Sequence, residues 1–366
     1  MRFLFALLLI PALSFSQEKL KPGFDIDEYL DVLSLAFHSS SIPDSTERLT
    51  KKDRYNLVYR SVEKGFMYRW TYYRRDDNVG VIDSRGTINV LPSWMGNFYS
   101  AMVPATGTLN LDDTTVFQYR LAENKAAMVH IGWLVALGYL GPDMINQINI
   151  QYKESGTKEF ILSGHSQGAA ITFLVRSYLE YQQKENKIPG DVKFKTYCSA
   201  APKPGNLYYA YDFDFINRGG WQFTVNNSAD WVPETPFTVQ TLTDFNETNP
   251  FRDAKAALKK QKFLVKIAGT TIYNKVDRAT RKAQKRYTKY FGKLVYKQAK
   301  SIVPQLKEPE YSKGINYVRA GTPVILMADE DYLKLFPDSR ENAFAHHLFK
   351  PYNYLARKWY KNGTPQ

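Results

Sequence analysis

The stretch "FILSGHSQGAAITFLVR", residues 160–176, decides the fold of this chain. An apolar run suited to a buried strand stops at Ser166, and apolar residues then resume at helical spacing. Gly164 and Gly168 stand two positions to either side of the serine. A strand, a G-x-S-x-G turn and a helix in this order are typical of a nucleophile elbow.

The elbow pattern has a steric reason. A serine at such a corner adopts a sparsely populated backbone conformation, and Cβ atoms two positions away would collide with the turn. The helix that begins behind it places the Gln167 N–H and the helix dipole where an oxyanion would form. We therefore predict Ser166 as a nucleophile and Gln167 as an oxyanion donor; the alternative is an ordinary serine at a glycine-flanked helix start.

A serine nucleophile needs a general base, and the chain has five histidines. His38 lies in a predicted helix ahead of the sheet, His130 lies on an apolar helix face, and His165 adjoins the serine. His346 and His347 remain as candidates, in a polar turn between the last predicted strand and the last helix.

The residue that orients the base is expected at a strand end between the serine and the histidines. Asp230 fits best, because it follows the predicted strand 221–227 and precedes a loop that Pro233 and Pro236 stiffen. The rival carboxylates are Asp212, Asp214 and Glu234.

Strands and helices alternate along most of the chain, which predicts an α/β fold with a mostly parallel sheet in a single domain, residues 17–366. Residues 25–40 predict an N-terminal helix. Further helices are predicted at 121–140 and 169–184, and strands at 68–73, 78–87, 159–163, 194–201, 221–227 and 315–328.

The N-terminal sequence predicts export. Residues 1–16 carry Arg2, an apolar run and then small residues, a pattern typical of a secretory signal peptide. A membrane anchor would need about 20 apolar residues. We expect cleavage after Ser16 and a periplasmic or extracellular protein. Its single cysteine, Cys198, allows no internal disulfide, and no cofactor or metal site is expected because no Cys or His pair has metal-ligand spacing.

Basic charge is concentrated in one segment. Residues 252–300 hold 16 Lys or Arg and two acids, a net charge of +14, which leaves −1 for the rest of a chain of total charge +13. We predict a basic, mainly helical insertion at 240–312. Its predicted apolar face consists of Val276, Ala279, Ala283, Tyr287, Tyr290, Phe291, Leu294 and Val295.

Three interpretations of residues 252–300 remain open: a solvated helix packed on the body, peripheral contact with anionic lipid headgroups, or contact with nucleic acid. Nucleic acid is the weakest, because export separates the chain from most of it, and no such partner is expected.

The chain resembles the class 3 lipase family, the fungal-type triacylglycerol lipases, through seven blocks in order. They are "RGT" at 85–87, "VHIGW" at 129–133, "GHSQG" at 164–168, "APKPGN" at 201–206, "SADWVPETP" at 228–236, "YVRAGTPVIL" at 317–326 and "HHLFKPYNYL" at 346–355. The resemblance implies an α/β-hydrolase fold and ester hydrolysis. The long basic stretch is not part of the family pattern, so its role cannot be taken from the family.

Carried onto this sequence, the resemblance implies Ser166 as nucleophile, Asp230 as acid and His347 as base. The family histidine precedes a tyrosine by five positions, which here is Tyr352, and His346 is the fallback base.

The resemblance also implies an oxyanion hole and a lid. Thr87, after Arg85 and Gly86, matches the residue that completes the oxyanion hole with Gln167. In the family, the segment at 88–104 forms a lid that opens onto lipid, so we expect emulsified substrate to activate the enzyme. Its aromatic and sulfur-bearing side chains are Trp94, Met95, Phe98, Tyr99 and Met102.

Together these features predict a secreted serine ester hydrolase, best interpreted as a lipase acting on acylglycerols. The alternatives are a phospholipase of the A type, an esterase for soluble esters, and a non-catalytic membrane-binding protein that keeps the fold.

Overall fold

The computed structural model describes residues 18–39, 54–251 and 253–361. The predicted signal peptide, residues 1–16, lies outside these ranges, as does Arg252.

A sheet of seven strands forms the centre of the molecule. The strands of the chain are β1 Tyr55–Arg60, β2 Trp70–Arg75, β3 Gly80–Ser84, β4 Met102–Pro104, β5 Thr106–Asn110, β6 Val116–Arg120, β7 Met128–His130, β8 Glu159–His165, β9 Lys193–Ser199, β10 Gln222–Asn227 and β11 Thr322–Leu326. In the central sheet the order is β1-β2-β3-β8-β9-β10-β11. The strands β3, β8, β9, β10 and β11 run parallel to one another, whereas β2 is antiparallel to β1 and to β3. The expected α/β-hydrolase architecture is confirmed.

Helices cover both faces of this sheet. They are α1 Ile26–Ser39, α2 Leu91–Phe98, α3 Ile131–Ser155, α4 Gln167–Lys184, α5 Leu207–Ile216, α6 Ala254–Lys259, α7 Phe263–Tyr287, α8 Val295–Ala299, α9 Glu330–Leu335 and α10 Phe349–Tyr360, with a π-helical turn at Thr288–Leu294. Within the described ranges, no helix combines the length and the apolarity needed to cross a bilayer.

The core divides at the sheet because successive side chains of a strand point to opposite faces. On β8, Phe160 and Leu162 pack with α3 and α4, whereas Ile161 packs with α1 and α10. Both layers are rich in fully buried aromatic rings, among them Trp70 and Trp133 on the first side and Tyr29 on the second. The central strands are therefore held in place by a packed layer of side chains on each face of the sheet.

Two predicted boundaries were wrong. The helix predicted over 121–140 begins only at Ile131, because Met128–His130 pairs with β4 as a short strand and the His130 Nδ1 accepts the first-turn N–H of Trp133 at 3.4 Å. The strand predicted over 315–328 shrinks to Thr322–Leu326, since Gly321 turns the chain with φ of +86°.

The basic segment is helical, and only part of its predicted apolar face packs on the body. Val276 is 49% exposed, whereas Asp277, Gln284 and Tyr287 are buried. The two buried polar side chains are satisfied: Asp277 accepts from the Arg281 Nε at 2.8 Å, and Gln284 donates to a backbone carbonyl. Helix α7 thus attaches to the body mainly through its C-terminal part.

Candidate active site

Ser166 stands at the sharp corner between β8 and α4. Its φ and ψ are +60° and −128°, a conformation that L-residues rarely adopt. A Cβ on Gly164 would lie 2.4 Å from the Gly168 carbonyl carbon, and one on Gly168 would lie 2.0 Å from the Ser84 oxygen. Only glycine fits at either position, and the close approach of β3 to α4 holds the corner in place.

Asp230 and His347 meet at the ends of two other elements. Asp230 lies in the loop after β10, and His347 in the turn before α10. The His347 Nδ1 is 2.7 Å from the Asp230 Oδ2, which also accepts a hydrogen bond from the Tyr352 hydroxyl at 2.8 Å. The Val232 N–H donates to the other carboxylate oxygen at 3.0 Å. Three donors thus fix the carboxylate, and the carboxylate in turn orients the ring.

Electrostatics keep this carboxylate ionised. Burial by itself favours the neutral acid, but the attraction of His347 and the hydrogen bonds from His347, Val232 and Tyr352 outweigh it and hold the pKa of Asp230 below its ordinary value. An ionised carboxylate on Nδ1 selects the imidazole tautomer with its proton there, which leaves the lone pair on Nε2 free to accept a proton.

Ser166 and His347 line the same cleft. Within the described part of the chain no hydrogen bond joins these two side chains. Such bonds in unliganded enzymes are commonly long and tighten only when the substrate is bound.

His165, set aside on the sequence because it adjoins the serine, has a role in this arrangement. Its Nε2 donates to the His347 carbonyl at 2.8 Å, and its Nδ1 accepts from the Ser199 hydroxyl at 3.1 Å. Burial lowers the pKa of His165 to about 3, so the ring stays neutral and keeps this pattern. His165 therefore supports the backbone of the candidate base, a contact that no pattern in the sequence indicates.

His346, the other candidate base, points away from the cleft. The Nδ1 of His346 pairs with the Tyr332 hydroxyl at 2.7 Å, its Nε2 pairs with Asp338 at 3.0 Å, and the ring is not among the described residues that line the cleft. The rival acids also have separate partners, since Asp212 accepts from the Tyr181 hydroxyl and Asp214 from the Gly321 N–H.

A partly buried polar network lies on the oxyanion side of the serine. The Asn97 side-chain amide donates to the Thr87 hydroxyl at 2.9 Å, and its oxygen accepts from the Gln167 Nε2 at 2.9 Å and from the Trp133 Nε1 at 3.2 Å. A second bond runs from the Gln167 Nε2 to the Ser93 carbonyl at 3.1 Å. Asn97, which the sequence did not single out, thus connects both predicted oxyanion residues to α2.

The cleft has a volume of about 520 Å³ and mainly apolar walls. Around the polar centre it is lined by Trp94, Phe98, Trp231, Phe237, Tyr287, Phe291 and Phe344, among others. At its rim Phe237 is 77% exposed and Phe98 is 48% exposed. Of the side chains expected in the lid, Met95, Tyr99 and Met102 are buried in the core, so only Trp94 and Phe98 face the cleft.

The chain is similar to known proteins over part of its length. The family model described as lipase (class 3) matches residues 81–240. No curated protein matches the chain. Among solved structures, the chain is similar to the triacylglyceride lipase of Rhizomucor miehei, at 17% identity over 59% of this chain and 77% of that one, with a TM-score of 0.43.

Two further solved structures are similar to the chain. The mono- and diacylglycerol lipase of Aspergillus oryzae has 16% identity, covers 59% of this chain and 76% of its own, and has a TM-score of 0.44. Lipase II of Rhizopus niveus has 19% identity, covers 58% and 74%, and has a TM-score of 0.41. Residues 81–240 of the chain are thus similar to the lipase (class 3) family, and this similarity supports a carboxylic ester hydrolase of the lipase type.

Proposed function

We propose that this protein is an exported lipase that hydrolyses acylglycerol esters with Ser166 as nucleophile, His347 as general base and Asp230 as the residue that orients the base. One observation carries the proposal: a serine in a strained corner opens on the same cleft as an imidazole whose Nδ1 lies 2.7 Å from a buried carboxylate.

In the proposed first half-reaction, the His347 Nε2 takes the Ser166 proton while Oγ attacks the ester carbonyl carbon. When the tetrahedral intermediate collapses, the bond to the alcohol oxygen breaks and His347 returns the proton to the leaving alcohol. Water then attacks the acyl-enzyme with the same base, and the carboxylic acid departs as Ser166 regains its proton. Asp230 stabilises the imidazolium in both halves.

The oxyanion is proposed to be held by the backbone N–H groups of Thr87 and Gln167. The Asn97 bond to the Thr87 oxygen leaves the Thr87 hydroxyl proton free to point into the cleft, where it adds a third donor. Loss of one such donor typically costs about 3 kcal/mol, or roughly a hundredfold in rate.

The side chains that line the cleft support this substrate class. Aromatic side chains surround the polar centre, a cleft of about 520 Å³ suits an acyl chain, and exposed Phe237 and Phe98 at the rim suit contact with a lipid phase.

The test compares substitutions at the two neighbouring histidines and at the serine. We expect Ser166→Ala and His347→Ala to lower kcat on a short-chain ester by about 10⁴-fold or more, whereas His346→Ala keeps most of the activity. A serine-reactive fluorophosphonate should label the unmodified protein but not Ser166→Ala.

Full activity of Ser166→Ala would refute the nucleophile. Loss in His346→Ala together with retention in His347→Ala would transfer the role of base to His346. An unlabelled and inactive native protein would favour the non-catalytic alternative.

A phospholipase of the A type is the second candidate, and the exposed cations of residues 253–300 favour it because phospholipid headgroups carry phosphate. Initial rates on triolein and on phosphatidylglycerol vesicles separate the two. A higher kcat/KM on phosphatidylglycerol would replace the acylglycerol assignment.

Export through cleavage after Ser16 is part of the proposal, as is peripheral contact of residues 252–300 with an anionic membrane. The first is tested by N-terminal sequencing of the protein recovered outside the cytoplasm, where we expect a start at Gln17.

A further inference from the structure

Helices α6 and α7 form a hairpin, here called the basic hairpin, residues 253–287. A Cβ on Gly269 of α7 would lie 2.5 Å from the Leu258 side chain of α6, and the Lys255 Nζ lies 5.1 Å from the centre of the Tyr273 ring. The two helices are thus packed closely on each other.

The positive charge of this region is left almost uncompensated. Every Lys and Arg between Lys255 and Lys300 is exposed. Among the described residues, the ion pair of Arg281 with Asp277 is the one that involves a cation of this stretch. Because the rest of the chain is nearly neutral, an anionic partner would be attracted to this element alone.

Five of the six cations in the C-terminal half of α7 lie on one side. Asp277, Gln284 and Tyr287 mark the side that faces the body. At 100° per residue, the opposite side carries what we call the basic stripe, Lys275, Arg278, Lys282, Lys285 and Arg286. A flat anionic surface can contact all of them at once.

The turn of the hairpin carries exposed apolar side chains, here called the apolar tip. Exposure is 73% for Phe263, 78% for Leu264, 53% for Val265 and 50% for Ile267. Lys262 and Lys266 flank them in sequence. Four neighbouring apolar side chains left in water at a projecting turn indicate a partner with an apolar phase.

We propose that the basic hairpin docks on an anionic phospholipid bilayer, with the apolar tip inserted among the acyl chains and the basic stripe along the headgroups. The charge complements phosphate, and the tip separates a bilayer from a nucleic acid or an acidic polysaccharide, which present charge but no apolar interior. The inference rests on the proposed function in one respect, that the bilayer would be the source or neighbour of the ester substrate.

Docking of the basic hairpin would also affect the cleft, because α7 and the π turn after it connect the two as one continuous helical element. Tyr287 at the end of α7 and Phe291 in the following π turn line the cleft, about 35 Å along the helix from Leu264. The Phe291 carbonyl accepts hydrogen bonds from the N–H groups of Ser100 and Ala101 at 3.1 and 3.2 Å, just beyond α2. The hairpin is therefore continuous with one wall of the site.

The test measures binding of the full chain to vesicles by flotation, in a Ser166→Ala background so that the lipid is not consumed. We expect strong binding to phosphatidylcholine vesicles that contain phosphatidylglycerol, weak binding to phosphatidylcholine alone, and release by high salt. The triple variant Lys275→Gln/Lys282→Gln/Lys285→Gln should bind the anionic vesicles about 100-fold less well, since each lysine at such a surface contributes about fivefold.

A matched control removes the same charge elsewhere. The triple variant Lys125→Gln/Lys187→Gln/Lys334→Gln changes three exposed lysines on other elements and should bind like the parent. For the tip, Leu264→Ser should weaken vesicle binding several-fold, while Leu335→Ser, at a leucine that is 60% exposed on α9, should not.

Equal binding to neutral and anionic vesicles, or unchanged binding of the stripe variant, would overturn the proposal. So would retention of the protein on heparin or DNA with no binding to either vesicle. None of these outcomes depends on catalysis, and the stripe variant with Ser166 intact should keep its activity on a soluble monomeric ester, so docking and the catalytic proposal can fail separately.

Discussion

Asp83 is a carboxyl group in the centre of the sheet, fully buried on β3. Its two oxygens accept hydrogen bonds from the Ser39 and Ser163 hydroxyls at 2.5 and 3.0 Å. Burial raises the pKa of Asp83 to about 7, and these two bonds only partly oppose the increase. The group therefore takes up a proton in the folded protein at a pH where it is ionised in the unfolded chain.

This residue predicts a pH dependence of stability. Because the folded state binds the extra proton between about pH 4 and pH 7, the contribution of Asp83 to the free energy of unfolding declines as pH rises through that window. Asp83→Asn removes the cost of the buried charge. The free energy of unfolding of the variant minus that of the parent should increase by on the order of 2–4 kcal/mol from pH 4.5 to pH 8.5. Urea denaturation at the two pH values measures this difference. A difference between the two proteins that is the same at both pH values would contradict this.

Residue by residue, the sequence predicted the site unevenly. The elbow was predictable because steric exclusion leaves a sequence signature at Gly164 and Gly168. The preference for His347 over His346 came from the resemblance alone, since adjacent residues point to different sides and their placement depends on how Tyr352 and α10 are anchored. Asn97 was missed because an amide on a short helix has no pattern of its own.

At the scale of elements, the π turn at Thr288–Leu294 joins the basic segment to the site. It presents Phe291 to the cleft, and Gly292 sits so close to the body that a Cβ there would lie 3.0 Å from the Ala101 Cβ. Apolar periodicity predicted only part of the contact face of the basic segment, because it reports which side chains are apolar and not which side the body covers. Val276 is exposed and Gln284 is buried for this reason.

The cleft wall predicts a change of specificity. Phe291→Ala should open the cleft and raise kcat/KM for long-chain over short-chain p-nitrophenyl esters by about fivefold or more. The matched control is Tyr290→Ala, since Tyr290 is 49% exposed and does not line the cleft. An unchanged chain-length profile in Phe291→Ala, or the same shift in both variants, would show that the insertion does not shape the acyl site.

For the whole molecule, charge and apolar exposure are both unevenly distributed. The basic segment carries a net charge of +14 against −1 for the rest of the chain, and exposed aromatic side chains, Phe98, Trp231 and Phe237, surround the cleft. The alternation of strands and helices was enough to predict the mostly parallel sheet, because hydrophobic periodicity follows local backbone geometry. The signal peptide, the single-domain organisation and the lid at 88–104 stay predictions.

The exposed aromatic rim leads us to expect activation by a lipid interface. Apolar side chains that are unfavourable in water become favourable when they contact an oil phase, so specific activity on a short-chain ester such as tributyrin should rise once its concentration exceeds the solubility limit. The measurement is the initial rate across that limit. Equal specific activity on either side would count against both the lid and the interfacial role of the rim.

The attachment of the π turn to the body determines which substitutions in the basic segment the protein can accept. The seam is made by the Phe291 carbonyl with the N–H groups of Ser100 and Ala101, and by the inward Tyr287 hydroxyl, which pairs with the Ser100 Oγ at 2.7 Å. None of these contacts involves a side chain of the basic stripe. Residues on the outward surface of α7, including its lysines, can therefore be substituted without loss of these contacts. The membrane-facing side of the helix can change while its attachment to the body stays the same.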